Sequence, residues 1–294
     1  MSGPAMLAHL ILERLSRREL ERFPEPDLVM QDPTQVAAFV ESGREDGVLA
    51  FTHFFHAAQI TPLIRPGERV LDLACGPANQ LARVAMLNPL AHFTGLDASP
   101  TMLEVARRTL RDAGVPNVQL MAGDMTHLHG VADGSMDCVV CTMSLHHLPD
   151  QSALQAAMGE MRRVLKPGGG LYVVDFGRLK RASTQRFFTL DRRNCQSEQF
   201  TRDYLHSLRA AFSLAELSSA AAVLSAGVLR FVTPLAPFMV VFKSAPRRAL
   251  DPATELALRQ QFARLSATQQ QDFRVFARWF RGAGYALPCA LWAA

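Results

Sequence analysis

The segment Arg69–Asn79, RVLDLACGPAN, constrains the fold of this chain more than any other. It opens with aliphatic residues (Val70, Leu71 and Leu73) of the kind that fill the centre of a parallel sheet. Small residues follow at 74–78, where the backbone can turn tightly and approach a ligand, and a helical apolar pattern begins directly after them. A strand, a small-residue turn and a helix N-terminus in this order predict a cradle with free N–H groups for a nucleotide-sized ligand.

Acidic residues accompany the first two predicted strands. Asp72 lies within the first strand, and Asp97 ends the next apolar run, His92–Asp97. A carboxylate at the tip of the second strand is placed to accept both ribose hydroxyls of an adenosine. The two segments together predict the adenosine end of a cofactor site.

The order of five short motifs resembles that of the class I S-adenosylmethionine-dependent methyltransferases. The motifs are VLDLACGPA, GLDAS, the Gly-Asp-Met at 123–125, SMDCVVCTMSLHHLPD and LKPGG, and the resemblance covers about residues 65–177. Of the family's three loop glycines the chain keeps Gly76, with Ala74 and Ala78 at the flanking places. Since alanine tolerates negative φ, we expect the turn to persist unless a flanking site needs positive φ.

The resemblance implies S-adenosylmethionine as the cofactor, S-adenosylhomocysteine as its product, and a set of cofactor-binding residues. These residues are Asp72, Ala74, Cys75, Gly76, Asp97, Ala98, Met102, Gly123, Asp124, Met125 and Thr142. In the family, the acidic residue at the position of Asp124 takes the exocyclic amine of adenine. The alternative for Asp124 is a loop aspartate that caps a turn.

Alternating strand and helix patterns with short turns predict an α/β fold with a doubly wound, Rossmann-like sheet. Together with the resemblance, they predict the seven-stranded methyltransferase sheet. We expect strand three at Val118–Leu120, strand four ending at Thr142 and strand five at Leu171–Val174. The predicted final hairpin pairs Val228–Val232 with Phe238–Phe242.

The chain divides by pattern into three parts. Residues 1–64 are predicted to form an N-terminal helical segment or lid, residues 65–245 the methyltransferase core, and residues 246–294 a C-terminal helical extension. A helical insert at 178–226 separates strands five and six and borders the substrate side.

Two apolar segments outside the core raise the question of what they cover. Phe51, Phe54 and Phe55 are expected to pack on the sheet, the alternative being a lid over the cofactor. The apolar end Tyr285–Trp292 is expected to dock on the core or on a second subunit. A homodimer would form through this tail or through the N-terminal helices.

Cys138 and Cys141 have the spacing of a zinc or redox pair, but they lie in a predicted strand. Because side chains in a strand alternate between faces, the two sulfurs point in opposite directions and cannot share a metal. We therefore predict no metal site here and no disulfide framework among the five cysteines.

Histidines and arginines are the candidates for chemistry at the acceptor. His147 and His56 are candidate general bases for an acceptor that arrives protonated, and the alternative is that no base is needed. His146 is a candidate substrate-binding residue. Arg192 and Arg193 are further candidates, because they lie in the most basic stretch of the chain and their positive charge suits an anionic acceptor. The alternative for these arginines is a solvated surface.

Composition narrows the function further. The net charge of +4 is modest, and neither a nucleic-acid-binding module nor an apolar run long enough to span a bilayer is recognised in the sequence. We therefore predict a cytoplasmic protein without nucleic-acid or membrane partners. The resemblance implies an enzyme that methylates oxygen, nitrogen or carbon of a small molecule in a biosynthetic or secondary-metabolite pathway. The alternatives are an RNA or protein methyltransferase, an NAD(P)-dependent oxidoreductase and a non-catalytic cofactor-binding protein.

Overall fold

The strands define the architecture in the computed structural model, which describes residues 3–225 and 227–291. Within those residues they form a seven-stranded sheet in the order β3-β2-β1-β4-β5-β7-β6. The strands are β1 (Arg69–Leu73), β2 (His92–Asp97), β3 (Val118–Ala122), β4 (Met136–Thr142), β5 (Leu165–Phe176), β6 (Val228–Val232) and β7 (Met239–Ser244). Pairing is parallel from β3 through β5, and β7 runs antiparallel to both β5 and β6. The predicted fold class is confirmed.

Helices cover both faces of this sheet. They are α1 (Pro4–Leu15), α2 (Pro33–Gly43), α3 (Ala50–Ile60), α4 (Asn79–Leu87), α5 (Pro100–Asp112), α6 (Gln151–Val164), α7 (Ala182–Leu190), α8 (Glu198–Ala210), α9 (Leu214–Ala220), α10 (Pro252–Arg264) and α11 (Ala267–Arg281). Several begin where the sequence provides a cap: the side chains of Asp32, Ser99 and Asp150 each accept a backbone N–H in the first turn.

Strand β5 is longer than the sequence predicts. The chain passes from α6 directly into the strand at Leu165, so 167–170 does not form a separate turn after the helix. A register shift between Met136 and Cys138 of β4 accommodates the extra residues as a bulge. Gly170 lies so close to Leu63 that an added Cβ would be 2.7 Å from its carbonyl oxygen. Glycine is needed at this position for close backbone packing rather than for a turn.

Strand β4 contains both Cys138 and Cys141, as predicted, and sends them to opposite faces. Cys138 packs in the hydrophobic cluster on the side of α3 and α4, whereas Cys141 packs in the cluster on the side of α6 and α9. Both side chains are buried, and burial raises the pKa of both thiols.

The insert between β5 and β6 is helical, as predicted, with α7, α8 and α9 in sequence; Ala226, at its predicted end, lies outside the described residues. The final hairpin is also confirmed, except that β7 begins at Met239 and continues to Ser244. The insert follows the carboxyl end of β5, which places α8 against α2 of the N-terminal segment.

The N-terminal and C-terminal helices pack on each other. Phe54 and Phe55 of α3 are fully buried, and their partners include Phe273 of α11 at 5.2 and 5.8 Å between ring centroids. The aromatic residues thus pack chiefly on the C-terminal helices, whereas the sequence predicted that they pack on the sheet. Tyr285 and Leu291 are buried against this same cluster, so the tail docks on its own core; Trp292 lies outside the described residues.

The predicted division at 64/65 and 245/246 remains a prediction, because one hydrophobic cluster runs from Met6 to Leu291 across all three parts. Among the described residues, the helices are all too short or too polar to cross a lipid bilayer.

Candidate active site

A cavity of about 510 Å³ lies at the carboxyl edge of the parallel strands. Most of the predicted site residues line it: His56, Ala74, Cys75, Gly76, Asp97, Ala98, Met102, Gly123, Asp124, Met125, Thr142, His146, His147 and Arg192. They come from the ends of β1, β2, β3 and β4 and from the N-terminal and insert segments. The topology of the sheet therefore gathers residues that are far apart in sequence at one edge.

The loop after β1 adopts an unusual backbone. Ala74, Gly76 and Ala78 all have positive φ, at 53°, 54° and 61°. Both flanking sites therefore have the positive φ under which the turn was not expected to persist, and the turn forms nevertheless, with two alanines in a left-handed conformation that glycine adopts freely. Ala78 then begins α4 without a side-chain cap, which leaves the first N–H groups of that helix without a capping side chain.

Asp97 holds this loop in place. Its Oδ2 accepts the backbone N–H of Gly76 and its Oδ1 accepts that of Ser99, both at 2.8 Å. Burial raises the pKa of Asp97, and the two backbone hydrogen bonds act against that rise. The side chain is thus a buried carboxyl fixed at the end of β2, with lone pairs left for further donors.

The strand ends beside Asp97 complete this half of the cavity. Asp124 follows β3 and accepts the N–H of Thr126 at 2.8 Å, which is a local turn contact. Thr142 ends β4 and accepts a hydrogen bond from Gln80 of α4 at 3.0 Å. Gly123 packs so closely on Leu96 that a Cβ there would approach it to 2.9 Å.

Asp72 does not line the cavity, unlike the other members of the predicted cofactor set. It is buried in β1, and among residues 3–225 and 227–291 its Oδ1 finds no hydrogen-bond partner. Burial and the nearby charge of Asp97 raise the pKa of Asp72 to about 8. The side chain is therefore a neutral acid near neutral pH.

Glu25, His146 and His147 line the cavity, and Asp175 lies against His146 without lining it. His146 Nδ1 lies 2.6 Å from Asp175 Oδ1, and Asp175 Oδ2 accepts the backbone N–H of His146 at 2.8 Å. Burial acts to lower the pKa of His146, but the charge and hydrogen bond of Asp175 raise it overall. Glu25 Oε2 lies 3.1 Å from His147 Nδ1, at an angle too bent for a good hydrogen bond.

Glu25, His146 and His147 also bring one potential ligand atom each within 4.8 Å of one another. In the sequence, Cys138 and Cys141 have the spacing of metal ligands, and no local pattern predicts this cluster. Glu25 accepts a hydrogen bond from Ser207 at 2.7 Å. Burial acts to raise its pKa, but the contact with His147, the charges of both histidines and the hydrogen bond from Ser207 outweigh burial and lower the pKa to about 2. Glu25 is therefore an anion in the folded protein.

Residues 70–169 match the protein family described as "Methyltransferase domain". This part of the chain is a class I methyltransferase domain. Domains of this class use S-adenosylmethionine, so the cofactor predicted from the motifs is the cofactor of the family. The match covers the strands and loops from β1 to the start of β5, which carry the cradle, Asp97 and Asp124.

Curated relatives share this region of the methyltransferase domain. A demethylmenaquinone methyltransferase from Listeria welshimeri is 38% identical over 113 residues, which are 38% of this chain and 46% of the relative. A ubiquinone/menaquinone biosynthesis C-methyltransferase from Haemophilus ducreyi is 36% identical over 117 residues, or 39% of this chain and 44% of the relative. The chain thus spans less than half the length of these relatives.

Solved structures extend the likeness of the fold beyond the methyltransferase domain. The plantazolicin methyltransferase BpumL, in complex with S-adenosylhomocysteine, is 16% identical with a TM-score of 0.53, covering 91% of this chain and 89% of that one. An O-methyltransferase family protein from Burkholderia thailandensis is 15% identical with a TM-score of 0.53, covering 83% of this chain and 69% of that one. At these identities the likeness is one of fold.

The cofactor half of the cavity fits S-adenosylmethionine on structural grounds. Besides the uncapped start of α4, His53 Nδ1 and Asn79 Nδ2 are buried there without hydrogen-bond partners in the described ranges, 3–225 and 227–291. Unsatisfied buried polar atoms beside a cradle are expected where a polar ligand supplies the partners. The methyltransferase cradle thus offers donors at one end and the Asp97 carboxyl at the other.

The rest of the cavity differs in character, because aromatic side chains are frequent in its lining. Besides Phe39, which lies beside Gly76 of the cradle, those that line the cavity are Phe51, Phe176, Phe188, Phe200, Tyr204, Phe238 and Phe276. Arg192 also lines the cavity and pairs with Asp272, whereas Arg193 is exposed and lies outside the lining. Two other basic residues of the insert have partners: Arg178 pairs with Glu216 at 2.7 Å, and Lys180 Nζ donates to the carbonyl oxygen of Ser16 at 3.1 Å.

Sequence reasoning missed three contributors to the site. Glu25 lies between Pro24 and Pro26 and carried no signal, because a charged residue in such a segment is normally exposed. Asp175 interrupts the apolar run of β5, and that interruption was an available signal for a functional carboxylate. Met30, whose carbonyl accepts a hydrogen bond from Ser99 at 2.7 Å, carried no signal in the sequence.

Proposed function

We propose that this chain transfers the methyl group of S-adenosylmethionine to a small-molecule acceptor. The observation that carries the proposal is the continuity of the cavity. It joins the cradle at Gly76, Asp97 and Asp124 to an aromatic compartment, and His147 lines the same cavity. A cofactor in the cradle and an acceptor in the aromatic compartment would meet within one enclosed space.

Asp97 and the loop 74–78 would hold the nucleoside part of the cofactor. Asp97 would accept the ribose hydroxyls, and the backbone at Gly123 and Met125 with the carboxylate of Asp124 would frame the adenine. Asn79, His53 and the uncapped N–H groups of α4 suit the carboxylate of the methionine part.

When bound, S-adenosylmethionine supplies an activated methyl group on a positively charged sulfur. The residues of this chain then have to orient the acceptor and exclude water, which provides much of the rate acceleration in methyl transfer. The segment 16–32 covers the cavity, with Glu25, Leu28 and Met30 in its lining. Arg22 anchors that segment, because its guanidinium donates to the carbonyl oxygens of Leu148 and Pro149 at 2.5 and 2.6 Å.

His147 is the proposed general base for an acceptor that arrives protonated. Glu25 faces Nδ1 and favours a proton there, which leaves Nε2 with its lone pair. The alternative remains that an acceptor which is already nucleophilic needs no base.

The acceptor we propose is an aromatic molecule with at least one anionic group. The aromatic side chains that line the cavity support an aromatic acceptor, and Arg192 in the same lining supports an anionic group on it. The relatives named above as acting on demethylmenaquinone and ubiquinone or menaquinone precursors favour an aromatic small molecule of a biosynthetic pathway over RNA or protein.

Self-association is proposed to use the N-terminal helix rather than the tail. Tyr285 and Leu291 are buried within the chain, whereas Leu7, Ile11 and Leu15 of α1 are 53%, 44% and 70% exposed. A row of exposed aliphatic side chains on one helix is typical of a contact surface. Light scattering on the protein, and on a Leu7→Ser, Leu15→Ser variant, measures this.

Calorimetry with S-adenosylhomocysteine and with NAD⁺ tests the cofactor class, and we expect binding of the first ligand alone. Transfer of radiolabelled methyl groups from S-adenosylmethionine is then measured to a reduced naphthoquinone, to a phenol carboxylate and to bulk tRNA. Labelling of a small aromatic molecule supports the proposal. Binding of NAD⁺ alone, or labelling of tRNA alone, contradicts it.

A further inference from the structure

A chain of hydrogen bonds runs from the C-terminal tail through the sheet to the cavity. Tyr285 donates its hydroxyl to Tyr172 of β5 at 3.2 Å, and the hydroxyl of Tyr172 lies 2.7 Å from Nδ1 of His56 in α3. His56 and Tyr172 are fully buried, and Tyr285 is 3% exposed. All three groups lie in the protein interior, so each proton in the chain is placed on one of them.

Counting protons settles where the imidazole carries its own. The hydroxyl proton of Tyr285 is donated to the hydroxyl oxygen of Tyr172. The hydroxyl of Tyr172 then has one proton, its own, to donate. If that proton is donated to His56 Nδ1, the imidazole proton must be on Nε2. The opposite arrangement places a proton on Nδ1, which leaves both the Tyr172 proton and the Nε2 lone pair unpaired. Because buried polar groups are rarely left unsatisfied, the arrangement with one unpaired group is favoured over that with two.

The imidazole of His56 also stays neutral. Burial, reinforced by the proximity of His53, lowers the pKa of His56 to about 3. With Nδ1 accepting the proton of Tyr172 and Nε2 protonated, the ring has no lone pair left with which to remove a proton. His56 therefore does not suit the general-base role that the sequence allowed it.

The remaining group, Nε2–H, has no hydrogen-bond partner anywhere in residues 3–225 and 227–291. His56 lines the cavity together with Phe51 and Phe276, whose rings contact each other at 5.8 Å between centroids. Phe276 presents its ring nearly perpendicular to the imidazole at 6.4 Å between centroids. A fixed donor in an otherwise aromatic wall recognises an acceptor atom on a flat apolar molecule.

We propose that His56 binds the methyl acceptor as a hydrogen-bond donor, through Nε2–H, to an uncharged oxygen on an aromatic or quinone-like ring. The inference rests on the proposed function, since it requires the aromatic compartment to hold the acceptor. It makes His56 a specificity-determining residue: a ring that bears a carbonyl or hydroxyl oxygen at that point is preferred over the same ring without one.

A pair of matched probes tests the preference. The affinities of 1-tetralone and of tetralin, which lacks the carbonyl, are measured in the presence of S-adenosylhomocysteine. The ratio of the two affinities is expected to fall about fivefold to tenfold in His56→Phe, which keeps an apolar ring and removes the donor. In the control variant Phe51→Leu, both affinities should fall while their ratio stays as in the wild type.

Nitrogen NMR of histidine-labelled wild-type protein tests the tautomer without any substitution. We expect Nε2–H for His56, with no protonation of Nδ1 between pH 5 and pH 8. A proton on Nδ1, or an unchanged affinity ratio in a folded His56→Phe variant, overturns the inference. Since the same samples report the affinity for S-adenosylhomocysteine, failure to bind that ligand identifies a failure of the proposed function instead.

Discussion

Glu25 Oε2 lies 3.1 Å from His147 Nδ1 and joins the segment before α2 to the turn after β4 across the cavity. The side chain of Glu25 is 9% exposed, so its charge is compensated by the protein rather than by water. We expect Glu25→Gln to lower the free energy of unfolding by about 1–3 kcal/mol at pH 7. Urea unfolding measures the change, with the exposed Glu21→Gln in the same segment as the control.

The pH dependence of this effect has a definite sign. Since the pKa of Glu25 is lowered from 4.5 to about 2 on folding, its contribution is fully present above pH 4.5 and is lost as the pH falls toward 2. The difference between the wild type and Glu25→Gln should therefore shrink as the pH falls from 7 to 3. A difference that stays constant over this range would show that the carboxylate is not held by charge.

Asp97 accepts two backbone N–H groups, those of Gly76 and Ser99, one with each carboxylate oxygen. An asparagine at this position could accept only one of them, because its amide nitrogen would face the other N–H as a second donor. We expect Asp97→Asn to weaken binding of S-adenosylhomocysteine by about tenfold to a hundredfold, because hydrogen bonds to charged groups are worth about 1.5–3 kcal/mol each. Calorimetry measures the affinity, and Asp112→Asn at the exposed end of α5 is the control. Unchanged affinity in Asp97→Asn would contradict the proposed ribose site.

The sequence predicted the elements of the fold well wherever one local rule decides. Helices begin at Asp32, Ser99 and Asp150, whose side chains each accept a backbone N–H of the first helical turn. Strand β5 was predicted too short, because a proline and three glycines are typical of a turn. Here they form a bulge in β5. The bulge accommodates the register shift against β4, and Gly170 allows the close approach to Leu63.

The site was predictable where sequence motifs define strand ends at the same edge of the sheet. Gly76 and Asp97 stand at strand ends that the motif itself defines, and the structure brings them into contact. Glu25 reaches His147 only through the path of the chain over the sheet, and no local pattern encodes that path. The pairing of Arg192 with Asp272 likewise depends on how the C-terminal helices dock.

Ala74 occupies a left-handed position, with φ of 53°, that glycine would fill without strain. We expect Ala74→Gly to raise the free energy of unfolding by about 0.5–1 kcal/mol, because relief of strain outweighs the greater entropy of glycine in the unfolded chain. Ala156→Gly, in the middle of α6, is the control and should lower stability by about 1 kcal/mol. Thermal and urea unfolding check both signs, and destabilisation by Ala74→Gly would show that the methyl group is needed for packing.

Asp72 is a buried acid whose pKa rises from 3.8 to about 8 on folding, because of burial and of the charge of Asp97. The folded protein then binds more protons than the unfolded chain between those values, so this group lowers stability as the pH rises from 4 to 8. Asparagine carries no charge and removes the loss. Asp72→Asn should therefore gain stability relative to the wild type between pH 5 and pH 8, as measured by urea unfolding at both values, and a gain that does not depend on pH would show that Asp72 is already ionised.

Arg192 and Arg193 are neighbours in sequence with different surroundings, and they form a matched pair for testing an anionic acceptor. Arg192 lines the cavity with a side chain that is 32% exposed and pairs with Asp272, whereas Arg193 is exposed outside it. Because Asp272 already shares the charge of Arg192 and water screens the rest, the gain from an acceptor carboxylate is modest.

We expect Arg192→Ala to weaken binding of 1-naphthoate about threefold to fivefold, in line with a partly exposed ion pair, and to leave the affinity for S-adenosylhomocysteine unchanged. Arg193→Ala should change neither. Calorimetry at two salt concentrations measures both ligands, since the contribution of Arg192 should fall as salt rises. Equal binding of 1-naphthoate by the two variants would mean that the basic stretch is a solvated surface, and that acceptor choice rests with the aromatic wall and the N-terminal segment.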